Sequence, residues 1–333
     1  MIEPEKPVEN PEDFYGREAV VRRIFSRIGA ARPQSIAIIG GRKMGKTSLL
    51  NYIFNESVRK KSLGPGQDFI FLNINLKTQN FKDAAGFLAA VYGRLTGSGG
   101  GGDNLYNVLQ RYVEESHNAG KKIIILLDDF HYITRNQNFP LEFFSFLRSL
   151  ANNYNLAYVT TSYLELQKLC IAKDIEESPF FNIFTNIALG LLSAEEAVRL
   201  CRKLSSLGQD QAQSLVSWYG PLAYVLKIAV KKIGEKGALK ENEYEKLLLP
   251  EITGYFSEVI SILPREALKP LKELARGKEP DPKDIHHLRP LLRQSFLLEE
   301  GEKLDFFSPA FKQFIAKNLA ASLLQGKDSC SSA

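Results

Sequence analysis

The 333-residue chain has a net formal charge of +5, with 44% hydrophobic and 24% charged residues. That balance is globular and excludes general disorder, and the length leaves room for two or three compact units. The aliphatic run Ile123 to Leu127 falls far short of the roughly 20 residues of a membrane-spanning helix. The acidic, proline-bearing start from Met1 to Asp13 has neither the basic nor the apolar region of a secretory signal. Cys170, Cys201 and Cys330 are odd in number and far apart, so neither a disulfide framework nor a zinc site is expected. The expectation is a cytoplasmic protein without a membrane partner. A charge of +5 spread over the whole chain does not specify a nucleic-acid partner.

In chain order, an extended lead-in with Pro4, Pro7 and Pro11 precedes a helical pattern from Glu18 to Ile28, where Val20, Val21, Ile24, Phe25 and Ile28 share one side. Ser35 to Ile39 is a short apolar strand ending in Gly40-Gly41, and a helix is expected from Thr47 onward. Asp68 to Leu76 alternates with the period of a strand. Helices at about Phe81 to Leu95 and Leu105 to Asn118 flank Gly97 to Gly102, whose glycines mark a flexible loop tip. The strand Ile123 to Leu127, a helix at Leu141 to Ala151, and strands Leu156 to Thr160 and Thr185 to Leu189 follow. Strands separated by helices predict an α/β fold with a parallel sheet covered on both faces.

After Leu192 only helices are expected, at Ala194 to Leu204, Gln209 to Trp218 and Leu222 to Ile233, the first opened by a Ser193/Glu196 capping box. A polar connection runs from Gly234. From Pro264 the pattern gives a helix (Arg265 to Arg276), short helices, and a hairpin of Phe296 to Leu298 with Lys303 to Phe307 around Glu299 to Glu302. A last helix spans Pro309 to Leu324.

The strongest chemical signal is Gly40-Gly41-Arg42-Lys43-Met44-Gly45-Lys46-Thr47, a G-x-x-x-x-G-K-[ST] pattern leaving a buried strand and entering a helix that continues with Ser48. Its glycines let the backbone curl until successive N–H groups point inward at phosphate oxygens, and the helix N-terminus adds partial positive charge. Lys46 is placed to reach the β- and γ-phosphates, and Thr47 to offer its hydroxyl to Mg²⁺. A metal-orienting acid is needed at another strand end. Ile123 to Leu127 run straight into Asp128 and Asp129, so Asp128 is the metal-side candidate and Asp129 the candidate to polarise water. The aspartate reaches water less well than a glutamate would, so slow hydrolysis is expected. Thr160-Thr161-Ser162 after the next strand reads either as a γ-phosphate sensor, with Thr161 on the ligand, or as an ordinary turn.

Together with Phe14-Tyr15-Gly16-Arg17-Glu18 before the first helix, these segments resemble STAND-type P-loop ATPases of the AAA+-related archaeal/bacterial ATPase-like group, over about Phe14 to Ile233. The resemblance implies ATP and Mg²⁺ as ligands and places Phe14, Tyr15, Gly16 and Arg17 near adenine and ribose. ATP is favoured by this likeness, and the chain lacks a guanine-reading Asn/Thr-Lys-x-Asp motif after the sheet. The family's lid carries a G-x-P segment at the nucleotide. Here Gly220 directly precedes Pro221, so the spacing departs by one, and a helix-initiating proline explains Pro221 equally well. No arginine stands out after Ser178-Pro179-Phe180 as a finger for a neighbour's phosphate, so oligomerisation is neither required nor excluded by sequence.

Arg265 to Leu324 resembles a winged helix. The expected organisation is a P-loop NTPase domain at 1–191, a helical lid at 192–255, a winged helix at 256–325 and a tail at 326–333. The function expected is an ATP-driven switch whose nucleotide state sets domain arrangement and the binding of a protein partner. The alternative is an ATP-dependent DNA-binding protein resembling origin-recognition or transposition-regulator ATPases. It would use His286, His287, Arg289 and Arg293 on phosphates and Gln294 near base edges. Glu299, Glu300, Glu302 and Asp305 on the wing oppose that reading by repelling a phosphate backbone. A small-molecule kinase using the same loop is a third reading, disfavoured by the long helical stretch after the sheet.

Overall fold

The computed structural model describes residues 3–66, 68–98, 104–236, 249–301 and 303–325. The expected tail at 326–333, residues 99–102 of the Gly97–Gly102 loop and most of the connection after Gly234 lie outside them. The chain divides into two compact units, an α/β unit of residues 7–40 and 45–189 and a second unit of residues 1–6, 41–44 and 190–333.

Five parallel strands form the sheet of the α/β unit: β1 (Ile36–Ile39), β2 (Phe69–Asn75), β3 (Lys122–Asp128), β4 (Leu156–Ser162) and β5 (Thr185–Ala188), in the order β2-β3-β4-β1-β5. The unbroken aliphatic run of β3 follows from burial on both faces. Ile123, Ile125 and Leu127 join one core with Phe87, Leu88, Leu109, Phe143 and Phe144. Ile124 and Leu126 join the other with Ile24, Phe25, Ile28, Leu49, Leu50 and Ile53. Alternate side chains of a strand point to opposite faces, so only a strand with helices on both sides loses its polar period. The first core lies under helices Ala84–Thr96, Leu105–Asn118 and Leu141–Asn153, the second under Glu18–Ile28 and Lys46–Phe54. Placing β1 beside β4, with β3 next, brings three strand ends together at the carboxyl edge, where open α/β sheets bind ligands.

Side-chain caps set element boundaries that periodicity alone does not show. The helix after the phosphate loop stops at Phe54 because the Asn55 side chain accepts the backbone N–H groups of Ser57 and Val58, opening a new helix at Glu56–Leu63. Asp83 likewise accepts the Gly86 N–H at 2.8 Å, so the helix expected from Phe81 begins at Ala84. Thr160, Thr161 and Ser162 are the last residues of β4 rather than a turn after it.

In the second unit, Ser193 and Glu196 form the reciprocal capping box at the head of helix Ala194–Leu204, at 2.8 and 3.1 Å. Helices Gln209–Tyr219 and Ala223–Lys236 follow. A helix the sequence pattern did not disclose, Pro250–Ser261, turns Ile252, Tyr255, Phe256 and Val259 inward and runs unbroken through residue 255. Phe256 meets Phe311 with centroids 4.9 Å apart, and Phe296 meets Phe307 at 5.5 Å, each edge-on. Phe296 precedes β6 (Leu297–Glu300), which pairs antiparallel with β7 (Lys303–Phe306). Gly220 has φ +77°, and a Cβ there would lie 2.7 Å from both the ring and the carbonyl oxygen of Phe307. Only glycine fits. Among the described residues no helix is long and apolar enough to cross a membrane.

Candidate functional site

The phosphate loop starts where β1 ends. Gly40 donates its N–H to Ser162 O of β4 at 3.1 Å, and a Cβ on it would lie 2.6 Å from Leu189 O, so the backbones approach as only glycine allows. Lys43 (φ +61°) and Gly45 (φ +92°) both take the left-handed conformation, which curls the loop into the head of helix Lys46–Phe54. The Lys46 ammonium folds back to donate to Gly40 O at 2.8 Å. The Ser48 hydroxyl accepts the Val8 N–H at 3.0 Å, and Asn51 donates to Val8 O, so the lead-in is pinned to this helix.

Asp128, at the end of β3, is 2% exposed and accepts three hydrogen bonds. Thr47 donates to Oδ2 at 2.7 Å, Thr161 to Oδ1 at 2.6 Å, and Asn75 Nδ2 to Oδ2 at 3.1 Å. Burial raises its pKa above the usual carboxylate range, and the neighbouring Asp129 adds to that. The Thr161 and Thr47 hydroxyls and the Lys46 charge pull the other way. The Asp129 N–H donates to Thr161 Oγ1 at 2.8 Å, and Asp129 sits at φ +57°. Its carboxylate Oδ1 lies 3.9 Å from Nδ1 of His131. Thr47, Asn51, Asn73, Asn75, Thr78, Arg94 and Asp128 line a polar cavity of about 220 Å³.

Lys46, Thr47, Asp128, Asp129 and Thr161 therefore meet at the carboxyl edge of the sheet. Thr161, weighed as a phosphate sensor, has its hydroxyl committed to Asp128 and to the Asp129 amide. Phe14 stacks on Tyr52 with centroids 4.5 Å apart, and Gly16 (φ +71°) and Arg17 (φ +69°) turn the chain into helix Glu18–Ile28. In the second unit, Pro221 accepts the Leu192 N–H through its carbonyl at 3.0 Å. There, too, the loop residues Gly41–Met44 have close neighbours. Tyr255 donates to Arg42 O at 2.9 Å, and a Cβ on Gly41 would lie 3.0 Å from Gln294 Oε1. Gln294 is 7% exposed, which removes it from the base-reading role considered for it. The stretch before it is a 3-10 turn (Ile285–Leu288) and a five-residue helix (Arg289–Arg293), the short helices expected there.

Asn75 and His131 are site neighbours that the sequence reading passed over. Asn75 carried a signal: it ends β2 directly opposite Asp128 in the strand register, and with Asn73 it is one of the two polar residues of that strand.

One hydroxyl and one buried carboxylate 2.7 Å apart are a donor set suited to magnesium shared with phosphate oxygens, which takes one or two protein carboxylates rather than a full cage. No group of three or more His, Cys, Asp or Glu able to hold a metal occurs among the described residues.

A 2-3-4-1-5 parallel sheet whose first strand feeds a glycine loop and whose third ends in a buried aspartate is the fold of a P-loop NTPase. The chain belongs to the novel STAND NTPase 2 family, whose profile matches residues 30–216, more than half its length. No curated protein matches it by sequence. Among solved structures it is similar to the Walker-type ATPase PABY2304 of Pyrococcus abyssi (TM-score 0.63, 15% identity, 93% of this chain and 98% of that one). It is also similar to the ORC2 protein of Aeropyrum pernix in ADPNP and ADP complexes (TM-score 0.58, 14% identity, 97% of each chain). A third similar structure is Drosophila ORC bound to DNA (TM-score 0.52, 11% identity, 95% of this chain and 88% of that one). At these identities the likeness speaks for the fold.

Proposed function

We propose that the protein binds ATP with Mg²⁺ and hydrolyses it slowly, as a switch whose nucleotide state sets the arrangement of its domains and its hold on a protein partner. The observation that carries this reading is the buried Asp128 carboxylate, held by the Thr47 and Thr161 hydroxyls at 2.7 and 2.6 Å beside the phosphate loop. A carboxylate kept in a desolvated position needs a purpose to offset its burial, and a bound cation supplies one.

In this reading the inward-facing amides of the loop and the Lys46 ammonium bind the β- and γ-phosphates. Thr47 and Asp128 orient the metal, and Asp129 holds the attacking water in line with the γ-phosphorus. Magnesium, when bound, neutralises charge on the phosphate oxygens. In this reading His131, whose Nδ1 lies 3.9 Å from Asp129 Oδ1, would help to orient that carboxylate. Phe14 to Arg17 would flank the base and ribose, and Pro221 would open the lid helix.

The test is calorimetric titration of the full chain with Mg·ATP, in parallel with Lys46→Ala. Binding by the parent and a loss of at least about tenfold in the variant is the expected result, since an ammonium hydrogen-bonded to phosphate contributes roughly 1.5–3 kcal/mol. Equal affinity in the two proteins would overturn the reading.

The DNA-binding alternative draws on the C-terminal winged-helix resemblance and on a similar structure that is bound to DNA. The acidic hairpin and the burial of Gln294 weigh against it. Retention of duplex DNA at low salt that falls with Arg289→Ala plus Arg293→Ala would restore it.

A further inference from the structure

Within the second unit, the loop residues Gly41–Met44 are held by a set of side chains that the nucleotide chemistry does not require. Lys43 Nζ donates to Glu5 Oε2 at 2.5 Å, and Glu5 Oε1 accepts the hydroxyl of Tyr224. The same ammonium lies over the Tyr224 ring, 4.9 Å from its centroid. Tyr224 packs edge-on against Tyr255 at 5.0 Å, and Tyr255 in turn holds Arg42 O. Arg42 reaches Glu258 at 3.7 Å. The Lys43 ion pair and the Tyr224 hydrogen bond hold the Glu5 carboxylate below its usual pKa, so it is an anion at neutral pH. The acidic lead-in thus delivers one negative charge, fixed by a tyrosine, onto a lysine of the phosphate loop.

We propose that Glu5 is an internal counter-anion of the phosphate loop, which an incoming polyphosphate displaces from Lys43, so that the lead-in sets the protein's affinity for nucleotide. The proposal rests on the nucleotide-binding reading above and specifies its regulation. One ammonium cannot pair fully with a carboxylate and with a phosphate at once, and a carboxylate left near the loop repels the polyanion. The competition is bounded by exposure. The Glu5 side chain is 66% exposed and that of Lys43 34%, so water and salt screen the pair and the effect is several-fold rather than thousands-fold. Tyr224 matters because it fixes the carboxylate. Without its hydroxyl Glu5 keeps its charge but loses its position.

The experiment titrates Mg·ATP and ADP into the full chain and into Glu5→Gln, Tyr224→Phe and Glu9→Gln, the last changing net charge equally at another exposed lead-in acid. The expected result is a gain of about three- to tenfold in Mg·ATP affinity for Glu5→Gln at about 50 mM salt, shrinking toward parity at about 0.5 M. A smaller gain is expected for Tyr224→Phe and none for Glu9→Gln. ADP, carrying less charge, should gain less than ATP. If the parent binds Mg·ATP and Glu5→Gln binds no tighter than Glu9→Gln, the counter-anion role is overturned while the nucleotide reading stands. If neither the parent nor Glu5→Gln binds Mg·ATP, both are overturned. Binding by Glu5→Gln alone would be the strongest form of support.

Discussion

Thr161 is the most informative position at which to perturb the site, because one hydroxyl serves two partners at the strand end. It donates to Asp128 Oδ1 at 2.6 Å and accepts the backbone N–H of Asp129 at 2.8 Å. Replacing it by valine keeps the shape and removes both bonds. Losing a hydrogen bond to an ionised carboxylate costs about 1.5–3 kcal/mol, and leaving the half-buried Asp129 amide without its acceptor about 1 kcal/mol. Asp128 keeps Thr47 and Asn75, which softens the first loss, so the net cost should be about 3 kcal/mol. For a cooperative unit of this size, each kcal/mol corresponds to about 2–4 °C, so the α/β unit of Thr161→Val should melt about 6–12 °C lower. Thr161→Ser retains the hydroxyl and should lose much less. Thr160→Val is a further control, because Thr160 donates only weakly, to Ile36 O at 3.4 Å. The measurement is calorimetric melting of the four proteins without nucleotide. A Thr161→Val transition within about 2 °C of the parent would refute the view that this hydroxyl holds the acidic strand end together.

Two further outcomes follow from the same geometry. Burial raises the pKa of Asp128 in the folded chain above its unfolded value. The native state therefore binds more protons between those two values, and stability falls as pH rises through that window. Asp128→Asn should flatten this pH dependence and stabilise the nucleotide-free protein at neutral pH while abolishing Mg-dependent phosphate release. Denaturation followed across pH 4–8 on both proteins checks the sign, and parallel curves would refute it. At Gly220, alanine meets both a left-handed backbone and the ring and carbonyl of Phe307, so Gly220→Ala should cost about 3 kcal/mol or more. Limited proteolysis of residues 190–325 should accelerate, and protection equal to the parent's would show that the backbone shifts freely there.

What could be read from the sequence divides by the range of the interaction. The β3 strand was legible because a run buried on both faces has no polar position to obscure it, and its exit into Asp128 followed from strand geometry alone. The phosphate loop was legible because its chemistry needs glycines at fixed offsets, and the structure gives one of them, Gly45, a left-handed φ. The Ser193/Glu196 box was legible because both partners lie within one turn. Starts at Glu56 and Ala84 were shifted by single Asn and Asp caps, a local chemistry that a periodicity count overlooks. Helix Pro250–Ser261 escaped because it opens on a proline, which reads as a break although proline is well tolerated in the first turn.

The site itself shows the harder case. Residue types at the loop and at the end of β3 announce phosphate and metal chemistry. The side chains that tune them come from the ends of other strands or from distant segments. Asn75 reaches Asp128 across 53 residues of chain, and Tyr255 reaches Arg42 across 213. Such pairings leave no periodic trace, because each depends on one contact that only the tertiary fold creates. Under the proposed function, the amides and Lys46 would fix what kind of ligand the loop accepts, and the partners of Arg42, Lys43 and Asp128 would set how tightly it is held. A glutamate at position 5 is unremarkable in an acidic lead-in until the fold sets it on Lys43, where under the proposal above it would compete with the polyphosphate.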